Sequence, residues 1–414
     1  VAGVTNRLTR LADAPDSKQS LAELLELHRA LGRDLEVDEQ HWLAEGESAL
    51  KQRLAGLRQD AGPRSRAALL AMGEWLSTRI ALQFLRKELD VSWVDARDAL
   101  EVVCDEDLSP ARQWLSASCP AGEDRALQNR WSGLSPVLIT QGFIGRAADG
   151  GTALLGRGGS DTSAALLAGR LNAQLLEIWT DVPGLFSADP RLVPGARLLS
   201  ELDYDEALEM AASGARVIHP RCIRAAAASR TPVVIRDLTR QQLIGTRIGV
   251  EDSRQQGVKT ITCQENMAVM LLQNLDARQQ VGFLAGVFDI IRHRGISVDL
   301  VATSETTTTV AINCEANHLD AGQLEALAED LGTLCRIRLY PDCVCVNLVG
   351  HGARTALSRL QPVLRFFDDH PLLMVSQSAN DLCLSLLVQA GDHLPLLHGA
   401  HTALVPEGKA LSLI

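Results

Sequence analysis

The sequence predicts an α/β chain: a layered domain on a mostly parallel sheet, followed by two smaller α/β modules. Three observations carry this. From residue 137, short apolar runs alternate with helical stretches, the pattern of strands joined by helical crossovers. From residue 265, a strand–helix–strand–strand order appears and then returns, with Val301-Ala302-Thr303-Ser304 lining up with Val375-Ser376-Gln377-Ser378 about 74 residues later. At 414 residues and 46% hydrophobic content, the chain can fill two or three cores.

Residues 7–131 read mostly as helices. Leu21, Leu24, Leu25, Leu27 and Leu31 recur at helical spacing, as do Leu69, Leu70, Trp75, Leu76, Ile80 and Leu85. Strands follow at Val137–Thr140, Thr152–Leu155, Leu175–Thr180 and Val233–Arg236, with a helix expected over Thr162–Leu176. The polar stretch Gly249–Lys259 reads as a linker. In the first module the strands are Met267–Leu272, Ile296–Ala302 and Thr307–Asn313, with helices at Phe283–His293 and near Leu319–Leu331. In the second they are Cys343–Val349, Leu372–Ser376 and Leu382–Val388, with a helix at Thr355–Phe367.

A formal charge of −11 and a pI near 5.4 argue against nucleic acid or an anionic membrane as partner. No apolar stretch approaches the ~20 residues of a membrane span, and no signal peptide is visible. Nine cysteines lie without CxxC pairs or spacing suited to a metal, so reduced, partly buried thiols in a cytoplasmic protein are expected.

The run Gly156-Arg157-Gly158-Gly159-Ser160-Asp161 stands between an apolar strand and a helix. Glycines let the backbone approach a ligand, the helix start offers free N–H groups, and Arg157 adds a forked cation. The run suits a phosphate or a carboxylate; a plain tight turn is the other reading. Gly142 and Thr180-Asp181 also fall at strand ends, where sheets of this kind bind ligands.

Eight segments, in order along the chain, resemble the aspartate kinases, which carry an amino-acid-kinase domain and paired ACT modules. They are Ala2–Asn6, Met72–Ser77, Thr140–Gly145, Leu155–Asp161, Trp179–Gly184, Asp189–Arg191, Gly214–Pro220 and Ile296–Leu300. The resemblance implies an amino-acid-kinase domain over 1–250, a first ferredoxin-like ACT module over 265–340, and a second built from 258–264 and 341–414. It implies transfer of the ATP γ-phosphate to the side chain of L-aspartate, with Mg2+ held mainly by the nucleotide phosphates and no metal-ligating residues of the chain's own. Arg157 would pair with the substrate α-carboxylate and Glu74 with its ammonium, while Thr5, Phe143 and Ser160 complete the pocket. Asp161 would organise cations at the transfer point, or simply cap its helix. Thr180, Asp181, Phe186, Asp189, Arg191 and Arg216 would serve the nucleotide. In the first module, Phe288, Val298, Asp299, Ser304 and Glu305 would hold a feedback amino acid, lysine before threonine, across a homodimer or larger homo-oligomer.

The family's N-terminal Lys-Phe-Gly-Gly strand has no counterpart before Ala2, so weak turnover or none is expected of this chain. Arg216 and Phe186 stand where lysine and tyrosine are usual. A non-catalytic amino-acid sensor, or the same fold acting on another substrate as in glutamate 5-kinase or uridylate kinase, are the competing readings. A fusion partner in the parent protein stays open.

Overall fold

The leucine-rich stretches of the first 131 residues fold into helices, with one strand and one short helical turn among the described residues. In the computed structural model, which describes residues 3–103, 108–215, 217–249, 256–273, 281–359, 361–377, 379–391 and 393–405, they are α1 (Val4–Asp13), α2 (Lys18–Asp34), α3 (Glu39–Gln59), α4 (Pro63–Leu70), α5 (Met72–Leu85), β1 (Val91–Trp93), α6 (Pro110–Leu115) and α7 (Arg125–Ser132). Leu8, Leu24, Leu50, Leu69 and Leu76 are fully buried in one shared core. Gly73 lets α1 press against α5, since a β-carbon there would meet Val4 at 2.8 Å.

The alternating region supplies β2 (Val137–Ile139), β3 (Ile144–Arg146), β4 (Thr152–Leu154), α8 (Gly159–Arg170), β5 (Leu176–Thr180), β6 (Glu201–Leu202), α9 (Tyr204–Ala212), α10 (Pro220–Ser229), β7 (Val233–Asp237) and β8 (Thr246–Ile248). β1 pairs with β2 and β6 with β8, both in parallel, while β3 and β4 form an antiparallel pair. α8 stops at Arg170, earlier than the apolar pattern suggests. Asn172 takes a left-handed backbone and the Ala173 N–H closes back on the Ala168 carbonyl, a C-terminal lock that halts the helix.

Two compact units result: residues 1–178 with 218–234, and residues 179–217 with 235–414. The division runs through β5 and β7. In the second unit lie β9 (Thr260–Gln273), α11 (Phe283–His293), β10 (Leu300–Thr303), β11 (Thr307–Asn313), α12 (Cys314–Asn317), α13 (Ala321–Gly332), β12 (Arg336–Val349), α14 (Ala356–Arg359), α15 (Gln361–Leu364), β13 (Met374–Gln377), β14 (Cys383–Gln389) and α16 (His393–Leu404). They form an antiparallel six-stranded sheet in the order β10-β11-β9-β12-β14-β13. β9 is one strand where two segments, 258–264 and 267–272, were expected. Asn266 and Asp342 take left-handed backbones, which these residue types tolerate, and the β9–β12 register shifts there rather than breaking. Residues 260–264 pair with 345–349, and 269–273 with 336–340. Over the helix expected at 355–367, the described residues form separate short helical elements, Ala356–Arg359, Gln361–Leu364 and Arg365–Asp368.

Alternation along β9 feeds two cores. Ala268, Met270 and Leu272 face Val287, Ile291 and Leu327 of α11 and α13, whereas Met267 and Val269 join Cys343, Cys345 and Leu387. Burial pushes the thiols of Cys222, Cys263, Cys345 and Cys383 up to about 12.

His28 is fully enclosed on α2; its Nδ1 lies 2.8 Å from the Leu24 carbonyl and burial lowers its pKa. The unfolded imidazole takes its proton near pH ~6.5 and the folded one only at lower pH. Its contribution to stability is therefore complete above ~6.5 and is lost as pH falls through the lowered folded value. His28→Leu is expected to lose less thermal midpoint than the parent between pH 7 and 5; parallel decline of both would remove His28 from the acid response.

Candidate functional site

In the first unit, the turns after β2 and β4 meet the start of α8. Gly158 caps this helix with no side-chain hydrogen bond, so the first-turn amides depend on other partners. Gly158 has φ +64°, and a β-carbon there would collide with the ring of His219. His219 in turn caps α10 by accepting the Arg221 N–H. Burial first, then the positive charges of Arg221 and Arg157, lower the His219 pKa.

Phe143 is the strained element. Its φ of +69° is rare for a bulky residue and marks functional turns. Three bonds hold it: its N–H donates to Ser163 Oγ at 3.1 Å, Ser163 Oγ donates to the Ser160 carbonyl at 2.8 Å, and its carbonyl accepts the Leu155 N–H at 2.8 Å. One residue earlier, the Gly142 N–H donates to Glu74 in the first turn of α5. Burial raises the Glu74 pKa despite that bond. Glu74, Phe143 and Ser160 are thus joined through Gly142 and Ser163. Asp161 sits inside the first turn with its pKa raised by burial; the helix cap is Gly158, so capping is not its role. Arg157 is exposed on the loop facing His219, and Thr5 is exposed on α1.

Two residues that no sequence signal singled out complete this unit's loops. Ser163 ties the Phe143 turn to α8. Arg221 donates to the carbonyls of Leu155 and Ala117, fixing the strand end from which the glycine loop springs. Its partners lie 66 and 104 residues away, beyond any local pattern.

In the second unit, Thr180 Oγ1 reaches Asp181 Oδ1 at 3.1 Å at the end of β5, and the Thr180 carbonyl accepts the Leu238 N–H. Asp189 and Arg191 form a two-pronged ion pair, at 2.6 Å for the closer prong, with the Arg191 side chain 84% exposed. The carbonyl of Phe186 accepts Thr260 Oγ1–H. Arg216 lies outside the described residues. Among the feedback residues, Phe288 and Val298 pack on the first module's core. Asp299 Oδ2 accepts the Asn313 N–H at 2.7 Å, and Gln264 also bonds it. Ser304 closes the β10–β11 turn through Thr307, and Glu305 is exposed beside it.

A sequence model of the amino acid kinase family matches residues 2–237. The lysine-sensitive aspartokinase 3 of Escherichia coli is 31% identical over 339 residues, 81% of this chain and 74% of that protein. The chain belongs to the aspartokinases of the amino acid kinase family. The chloroplastic aspartokinase 1 of Arabidopsis thaliana is 29% identical over 96% of this chain and 70% of its own length. Among solved structures, E. coli aspartokinase III in complex with aspartate and ADP, in its R-state, superposes with a TM-score of 0.80 at 28% identity, covering 97% of this chain and 91% of that one. The same enzyme with lysine and aspartate, in its T-state, gives 0.79 at 27%. Among the described residues no helix is long and apolar enough to cross a membrane.

A carboxylate whose folded pKa is raised favours the fold below its unfolded value, near ~4.3, and that support is lost as pH rises through the folded pKa. Glu74→Gln is therefore expected to melt higher than the parent at pH 8, with the gap closing toward pH 4. A variant that melts lower at pH 8 would show that the ionised carboxylate stabilises the fold.

Proposed function

We propose that this chain transfers the γ-phosphoryl group of ATP to the side-chain carboxylate of L-aspartate, giving 4-phospho-L-aspartate, and that lysine held by the first module restrains it. The observation that carries the reading is the tie of Glu74 to Gly142 and of Phe143 to Ser163 beside the uncapped start of α8. A desolvated carboxylate with one amide donor gains from an ammonium, and Arg157 on the adjoining loop suits the same ligand's α-carboxylate. The E. coli enzyme holds aspartate and ADP in its R-state and lysine with aspartate in its T-state, which supports this choice of ligands.

The acceptor carboxylate is ionised at neutral pH and needs no general base. One of its oxygens bonds the γ-phosphorus as the bond to the ADP oxygen breaks, and ADP leaves with that electron pair. What remains for the protein is alignment and charge neutralisation. Arg157 and Glu74 orient the amino acid, and the first-turn amides of α8 face developing negative charge. Thr180, Asp181, Phe186, Asp189 and Arg191, with Arg216, form the nucleotide set in this reading. Among the described residues, Asp203, Glu206 and His351 are the one group of three ligating side chains close together, and this reading assigns it no metal. Its carboxylates engage His351 and Lys259, and in this reading Mg2+ is carried by the nucleotide phosphates. Asp299, with Phe288, Val298, Ser304 and Glu305, holds the feedback amino acid, with threonine as the second candidate. The boundaries 1–250, 265–340 and 258–264 with 341–414, and assembly as a homodimer through the modules, belong to the same reading.

Aspartate-dependent ATP turnover, measured with and without lysine, tests it. Lysine-suppressed turnover is the expected result; amino-acid binding with no turnover makes the chain a sensor. Arg157→Ala and Glu74→Ala should each lower kcat/KM for aspartate by about 100-fold or more with the fold intact. Asp299→Ala should keep the maximal rate and lose lysine inhibition; retained inhibition moves the effector site elsewhere.

A further inference from the structure

Within the first unit, the contact between Glu74 and Gly142 joins two elements far apart in sequence, and the end of β1 is tied to both of them. On the side of α5, the Thr78 hydroxyl donates to the Glu74 carbonyl, one helical turn back, at 2.8 Å. A threonine in a helix commonly makes that local bond. Here the same oxygen also accepts the indole N–H of Trp93, the last residue of β1, at 3.1 Å. Arg79 reinforces the junction, its guanidinium lying 4.1 Å from the centre of the Trp93 ring and 5.0 Å from that of Trp75. On the other side, the Ala96 N–H donates to Gln141 Oε1 at 2.9 Å. Gln141 immediately precedes Gly142, whose N–H meets Glu74. Between the two anchors, β1 pairs with β2 with Trp93 opposite Ile139, and the Val94 N–H donates to the Ile139 carbonyl.

Gln141 is 2% exposed, at a place where an apolar side chain would need no partner. Burying its amide is unfavourable unless it is bonded, and the bond it makes fixes the turn after β2. Gly142 therefore stands between two anchored neighbours, since Phe143 is held on its other side by Ser163. Residues 93–96 fix the first turn of α5 and the turn after β2 relative to each other. The Glu74 carboxylate spans the gap between those turns. A carboxylate held by an amide in one direction presents its other lone pairs in one direction too, and a charge-assisted bond to an ammonium depends on both distance and angle.

We infer that Thr78, Trp93 and Gln141 are positioning residues for the ammonium group of the amino-acid substrate. They act through Glu74, by holding its helical turn and its amide donor at a set separation. The inference rests on the kinase reading above, in which Glu74 takes the ammonium, and adds residues to it.

L-Aspartate and succinate, the same diacid without the amine, separate this role from a general loss of the site. Calorimetric titration of the whole chain with each ligand is the test. The parent should bind L-aspartate more tightly than succinate, and Glu74→Gln should lose most of that preference. Thr78→Val keeps the shape and removes the bridging hydroxyl; Thr78→Ser restores it. Thr78→Val is expected to weaken L-aspartate about fivefold, the size of one lost hydrogen bond, with succinate within about twofold of the parent and Thr78→Ser close to the parent. Placed on Glu74→Gln, Thr78→Val should add no further loss. Gln141→Met should act in the same direction as Thr78→Val, and the Thr78 pair decides the matter if that variant does not fold. A folded Thr78→Val that keeps the parental preference, or that weakens both ligands equally, overturns the inference while leaving the kinase reading standing. A parent without preference for L-aspartate, or a Glu74→Gln variant that keeps it, overturns the role of Glu74 and the inference together.

Discussion

The antiparallel pairing of β9 with β12 is the constraint on which the second unit depends. Each strand runs for fourteen residues, and neither could be shortened without dividing the sheet. Their first and last portions serve different cores, so the two modules share backbone hydrogen bonds and not merely a linker. Asn266 and Asp342 absorb the register shift where the portions meet. Thr262 and Asn347 both reach the carbonyl of Ser213 only because this pairing holds them side by side, at one rung of the ladder.

The first unit is organised around a local conflict. Phe143 is held in a left-handed backbone, Glu74 is kept half-buried as a carboxylate, and α8 begins without a side-chain cap. Each feature is unfavourable for folding alone, and their adjacency is what a binding site looks like energetically. Ser163 and Arg221 hold the arrangement by bonds to backbone atoms.

Much of this was legible in the chain. The limits of α11 follow from its apolar periodicity, and the glycine loop before α8 announces its turn chemistry. Local signals failed where distant contacts decide. Nothing near Asn172 says that it will end α8 by adopting a left-handed backbone. Two apolar runs separated by Gln264-Glu265-Asn266 look like two strands until the opposing bulge in β12 is present to match them. Arg221 seems one more surface arginine in an arginine-rich chain, because its carbonyl partners are far off in sequence. Polar residues within an apolar strand, such as Thr262 and Asn347, carry no meaning until the carbonyl that they share is in place.

The buried and half-buried cysteines bear on how the molecule can be observed. A thiol with a pKa of about 12 presents, at neutral pH, on the order of one thiolate in 10⁵. Alkylating reagents consume thiolate alone, so these sulfurs are silent while the surrounding packing is closed. Because Cys222 lies in the first unit and Cys263, Cys345 and Cys383 in the second, the order in which they become labelled reads out which unit opens first, from natural residues and without an added probe.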